Sequence, residues 1–173
     1  AHGSPAGNPF WSVVEKGMVD ACALLSAECT WLGDPSYSAE AMAAYWEDAL
    51  AAAPVGIGTT APDADVVRSG VASARAAGIP VIIFNTADAG AGTENALEVL
   101  FYVGANERTG GQSNARRVLA QAAADGASVA KGVCTIQEQG HSGLEARCAG
   151  VRDVFDENGI ALDILNITND PTE

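Results

Sequence analysis

Positive charge is what this 173-residue chain has least of: two lysines, Lys16 and Lys131, and seven arginines against 22 acidic residues, for a net charge of −13. A surface with that balance repels nucleic acid and anionic membrane surfaces, so neither is expected as a partner. No uninterrupted apolar run reaches the roughly 18 residues that a membrane span requires, and direct membrane insertion is not expected. The N-terminus lacks the basic and apolar regions of a signal peptide, so one carried by a precursor is expected to have been removed. Histidines number two, His2 and His141. There is no Cys-x-x-Cys pair, no histidine at zinc spacing, no Walker loop and no Gly-x-Ser-x-Gly elbow. Gly90-Ala91-Gly92 lacks the third glycine of a dinucleotide fingerprint, because Asn95 stands there and no helix starts promptly. No nucleophile has a recognisable base, so the chain is not read as an enzyme, and no cofactor or metal is expected.

What is present is a packed α/β pattern. Nearly half the residues are hydrophobic. Asn8 and Pro9 form an N-cap and a first helical residue, and from Phe10 the apolar residues Val14, Met18, Cys22 and Leu25 recur at helical spacing. Phe10 therefore heads the expected buried stripe, and Trp11 lies about 100° round from it. A strand is expected over 28–32, then a helix capped by Ser38 and stopped by Pro54. A weak strand follows at 55–60, and a helix starts at Pro62-Asp63. The continuous run Ile79-Pro80-Val81-Ile82-Ile83-Phe84 suits a strand buried on both faces of a parallel sheet. A glycine-rich loop over 86–96 leads to a strand over 99–103, and Asn106 caps the next helix. A strand near 129–136, a capping box Ser142-Gly143-Leu144-Glu145 opening a helix, and a strand over 160–165 complete the pattern. Gly78, Gly126 and Gly159 sit where helices end. Alternation of this kind implies right-handed crossovers and a parallel sheet, whose ligands gather at the carboxyl ends of the strands.

Four cysteines form two local pairs, Cys22 with Cys29 and Cys134 with Cys148, each joining a helix to a neighbouring strand. Disulfides and buried free thiols are both open at this level. The strand-end loops carry Ser4, Asn8, Trp11, Asn85, Asn106, His141 and Arg147. Amides and a guanidinium to fix hydroxyls, with an aromatic face for ring C–H groups, are the inventory a neutral polyol needs. Each also has a plainer role: Asn8 and Asn106 as helix caps, Asn85 at its strand end, Arg147 paired with Glu145 or Asp153, and Trp11 against a neighbouring loop. Asn166-Ile167-Thr168 matches a glycosylation sequon, which chance supplies often.

Gly7-Asn8-Pro9-Phe10-Trp11 with Lys16-Gly17-Met18, Ala76-Ala77-Gly78-Ile79-Pro80-Val81-Ile82, Val103-Gly104-Ala105-Asn106-Glu107 with Gly110, and Glu145-Ala146-Arg147-Cys148-Ala149-Gly150 run in one order along the chain. Together they resemble the type I periplasmic sugar-binding proteins, the ribose-binding-protein-like solute receptors of ABC importers. The resemblance implies a three-layer αβα fold with Rossmann-like parallel-sheet lobes closing on a sugar: an N-terminal lobe over 1–104 and the start of a C-terminal lobe over 105–173. It implies delivery of a sugar or polyol to ABC permease subunits, and a periplasmic location or a tether at the outer cell surface. Site residues carried over are Ser4, Asn8, Phe10, Trp11, Asn85 and Arg147, with Trp11 the leading choice for ring stacking and Phe10 shared between core and cleft; Asn106 and His141 join them from the strand-end inventory. The family's strand-end aspartate is Asn85 here, the arginine after it is Thr86, and its Asp-Asn near the first crossing is Ala105-Asn106. These losses of charge leave the class of sugar open. The resemblance also implies that the family's first strand, before His2, and much of its second lobe are missing. A sheet without an interior strand leaves unpaired backbone groups, each costing of order 1–3 kcal/mol. A LacI-type ligand-sensing domain shares the fold but needs a helix-turn-helix; a small flavodoxin-like domain is the third alternative.

Overall fold

The computed structural model of the chain describes residues 1–35 and 37–167. It divides into two compact units, Ala1–Val103 and Gly104 onward.

The first unit begins with helix α1 (Pro9–Leu25), whose Asn8 Oδ1 accepts the Phe10 and Trp11 N–H groups at 3.0 and 3.4 Å. Helix α2 (Ala39–Ala51) is capped by Ser38, and α3 (Ala64–Ala76) by Asp63. Three short strands, β1 (Ile57–Thr59), β2 (Val81–Phe84) and β3 (Tyr102–Val103), form a parallel sheet in sequence order. Ile57 pairs with Val81, and Ile83 with Tyr102. Val81 and Ile83 enter a core with Met42 and Trp46 of α2 and Val67, Val71 and Ala74 of α3. Gly70 of α3 lies against the Trp46 indole, where a Cβ would overlap the ring.

The 28–32 segment is not a strand. It is extended, and among the described residues its backbone has no sheet partner; Leu32 C=O instead accepts the Ala1 amine at 2.7 Å. The expected strand over 99–103 is regular only over Tyr102–Val103, although Leu100 N–H already donates to Val81 C=O and Phe101 C=O accepts Ile83 N–H beside β2. The stripe on α1 is also displaced. Phe10 is 51% exposed and Trp11 only 5%, since the indole is packed on Gly3 and meets the rings of His2, Phe10 and Trp31 edge-on.

The second unit holds α4 (Glu107–Ala124), β4 (Lys131–Ile136), α5 (Ser142–Glu157) and β5 (Ala161–Asn166), with β4 and β5 parallel and Lys131 opposite Ala161. Ala115, Val154, Phe155 and Leu162 form its core. The two helices approach closely at Gly111 and Gly150, each of which faces backbone of the other helix. The expected capping box at Ser142 is not the observed cap. His141 takes that position, its Nδ1 accepting Gly143 and Leu144 N–H at 3.1 and 3.3 Å. Gly78, Gly126 and Gly159 have φ of 75°, 68° and 67° at the helix ends, as their places in the sequence predict.

Both disulfides are formed, Cys22–Cys29 and Cys134–Cys148. Among the described residues no helix is long and apolar enough to cross a membrane. Thr168 of the sequon, and with it the chain's last expected feature around Asn169, lies outside the described residues.

Candidate functional site

In the first unit the carboxyl end of the sheet is a knot of loops. His2 N–H donates to Thr60 Oγ1 at 3.0 Å, which ties the opening loop to the residue after β1. Ala61 N–H donates to Thr86 C=O at 3.1 Å, joining the ends of β1 and β2. Thr60 and Thr86 are both buried. Thr60 carried no signal in the sequence beyond its place at a strand end.

Asn85, immediately after β2, has φ of 61°, a left-handed conformation that asparagine tolerates better than most side chains. Its backbone is committed on both sides: N–H donates to Val103 C=O at 2.9 Å, and its C=O accepts Tyr102 O–H at 2.7 Å. Its Oδ1 accepts Thr86 O–H at 2.9 Å. A fixed backbone and an oriented carboxamide leave the amide N–H₂ as the group available to a ligand hydroxyl. Asp88, buried in the following loop, accepts Gly90 N–H at 2.8 Å and Leu97 N–H at 2.7 Å and so organises that loop.

Ser4 is buried, its Oγ accepting Ala6 N–H at 3.3 Å. Asn8 caps α1 through Oδ1, again leaving an amide N–H₂. Trp11 is occupied with packing, and the neighbouring exposed ring is Phe10.

In the second unit Asn106 caps α4, its Oδ1 accepting Thr109 N–H at 3.0 Å. Arg147, in the second turn of α5, pairs with Glu107 rather than with Glu145 or Asp153: Nε donates to Glu107 Oε2 at 2.7 Å, with a second nitrogen at 2.6 Å. Asp153 is taken by Arg108 and Gln112. The structure therefore brings Asn106, Glu107 and Arg147 together through the first turn of α4. Glu107 was missed as a site residue; an acid in a helix's first turn reads as a dipole partner, and its pairing with a residue 40 positions on has no local signature. The Glu107 carboxylate orients the guanidinium while leaving donors on its other edge.

His141 is buried, and burial lowers its pKa from 6.5, with Glu138 opposing the shift. Because Nδ1 accepts two backbone N–H groups, the neutral ring carries its proton on Nε2, which lies 3.9 Å from Glu138. The second unit thus places a guanidinium and an amide at the N-terminal ends of its two helices, with the His141 ring at the cap of α5.

Residues 3–173 match the periplasmic binding protein domain. The chain belongs to the periplasmic binding protein family. Solved structures agree on the fold. An ABC sugar transporter periplasmic sugar-binding protein from Legionella pneumophila superposes with a TM-score of 0.87 at 24% identity, over 99% of this chain and 60% of its own. A carbohydrate transporter from Acidothermus cellulolyticus 11B, solved with myo-inositol, gives 0.77 at 30% identity over 96% and 53%. A protein from Bacteroides fragilis assigned as a LacI transcriptional regulator gives 0.74 at 20% over 92% and 55%. No curated protein matches. The chain thus spans about 53–60% of the length of these periplasmic binding protein relatives.

Proposed function

We propose that this chain is the ligand-binding part of a solute receptor that captures a sugar or polyol and delivers it to an ABC import permease, working outside the cytoplasm. The observation that carries the reading is Asn85. In a member of this family, an amide stands at the carboxyl end of the buried strand with its backbone fixed on both sides and its Oδ1 already oriented. That arrangement presents a neutral donor, and a neutral donor suits hydroxyls better than an anionic or cationic ligand.

The other members of the set fit the same ligand class. Asn8 and Asn106 supply amides, Arg147 a guanidinium held by Glu107, and His141 a neutral N–H. Phe10 is the ring whose exposure suits it to the C–H face of a sugar, while Trp11 supports it edge-on. No group in the set provides a nucleophile with a base, so binding without turnover is the expected activity.

Isothermal calorimetry against a panel of pentoses, hexoses, inositols and aminosugars tests the reading. Saturable heat with at least one of them supports it, and silence across the panel overturns it. Asn85→Ala is expected to weaken binding by about tenfold, the loss of one good hydrogen bond.

A further inference from the structure

Arg147 is anchored at both ends of its side chain. At the base, its backbone C=O lies where a Cβ on Gly111 would be, so α4 and α5 touch there. One turn earlier on the same face of α4 stands Glu107. Its Oε2 accepts Arg147 Nε–H at 2.7 Å and lies 2.6 Å from Nη2. Both contacts use one edge of the guanidinium. The outer edge keeps its remaining donors, both on Nη1 and one on Nη2, and among the described residues they have no partner in the chain. The Glu107 side chain is 18% exposed and that of Arg147 47%, so the carboxylate lies beneath and the outer donors face solvent.

A guanidinium close to two helix N-termini is an arrangement that collects anions. Here the chain supplies the anion itself. The surrounding charges do not restore a positive field. Arg108 is held by Asp153, and Glu138 lies 3.9 Å from the His141 Nε2. The imidazole responds to the same balance. Burial lowers its pKa most, Glu138 and Glu107 oppose that, and Arg147 adds to it by less than Glu107 takes away.

We propose that Glu107 is a specificity-determining residue: its carboxylate fills the anion position at Arg147, so that the site takes ligands through hydroxyl groups and turns away sugars carrying a carboxylate or phosphate. A hydroxyl oxygen accepts from the outer donors without meeting a like charge. A ligand carboxylate brought to the same donors faces Glu107 across the guanidinium and is repelled. Glu107 acts through Arg147 and touches no ligand, so it is a positioning residue. The proposal rests on the sugar-receptor reading and narrows it to neutral sugars and aminosugars.

The test compares the wild-type chain with Glu107→Gln, which keeps an oxygen for Arg147 and removes the charge. Asp156→Asn removes one charge from an exposed position of α5 and serves as the control. Calorimetry with galactose against galacturonate, and glucose against glucuronate, gives the affinity ratio of neutral to anionic sugar. That ratio is expected to fall about tenfold in Glu107→Gln and to stay constant in Asp156→Asn. A structural role would weaken both sugars together and leave the ratio alone. An unchanged ratio in Glu107→Gln, or an equal fall in the control, would overturn the proposal. A second measurement needs no sugar: the Arg147 Nε–H resonance is followed as sulfate is added. Saturable shifts in Glu107→Gln alone are expected, and sulfate binding by the wild type, or by neither protein, counts against the proposal. Should Glu107→Gln fail to fold, Glu107→Asp withdraws the carboxylate from the guanidinium and is expected to gain sulfate binding in the same direction. Silence with every sugar would sink the receptor reading, and the sulfate titration then decides the role of Glu107 by itself.

Discussion

Phe10 and Trp11 show how one helical step divides two aromatic rings between different tasks. Phe10 is half exposed and Trp11 buried against Gly3 and Trp31, so their substitutions should separate binding from folding. Phe10→Ala is expected to leave denaturant midpoints nearly unchanged while weakening sugar affinity. Trp11→Ala should cost about 3–5 kcal/mol of stability, measured by urea unfolding. Periodicity identified the helix and its cap correctly, but it could not say which of two adjacent rings a distant loop would cover. Charge at single residues gives a second prediction. Arg108 and Gln112 hold the Asp153 carboxylate down to about 2, below its ordinary 3.8. A depressed carboxyl contributes stability above its unfolded value and loses it as pH falls through the folded one, so the contribution should vanish between about pH 4 and pH 2. Asp153→Asn should flatten acid melting curves in that window. His141 adds a milder dependence higher on the scale. Its pKa is lowered by burial, and its neutral Nδ1 caps α5, so stability should fall as pH drops below 6.5. His141→Asn, an uncharged cap, should remove that slope in thermal melts without unfolding the helix.

At the scale of elements, caps and stops were legible because they are local chemistry. Asn8, Ser38, Asp63 and Asn106 each accept an N–H from the first turn of the helix they precede. The strand expected over 28–32 failed for a non-local reason: its residues are extended, but a strand exists only with a neighbour, and among the described residues it has no sheet partner. The start of α5 was legible to within a residue, but its cap was not, because the His141 imidazole replaces the hydroxyl that the capping box leads one to expect. The Glu107–Arg147 pair was illegible because it joins two helices, and the rule that pairs neighbours on one helix cannot see it. The α4–α5 contact supplies the element-scale prediction. Gly150 faces Arg108 backbone, and Gly111 faces Arg147 backbone. Gly150→Ala should force the helices apart and cost about 1–3 kcal/mol, read as a lowered melting temperature. Because Arg147 and Glu107 straddle the same seam, the substitution should also disturb the placement of the guanidinium.

The whole molecule is a strongly acidic chain with two compact units, each crossed by one disulfide. At −13, self-repulsion opposes compaction, and raising salt from about 10 to 150 mM should raise the melting temperature by screening it. Reduction should act in the opposite direction. Cys134–Cys148 closes a 14-residue span, a loop whose closure entropy is worth about 3 kcal/mol, and melting with and without reductant measures that contribution. The brevity of both loops matters beyond their stability. Four cysteines allow three pairings, and the two not observed would each tie one unit to the other across a hundred residues or more. The native pairs join thiols only 7 and 14 residues apart, the encounters that a flexible chain makes first and at least entropic cost. A chain emerging from its N-terminus can therefore complete Cys22–Cys29 before either later cysteine exists. Loop length alone thus favours these two local bridges over any pairing between the units.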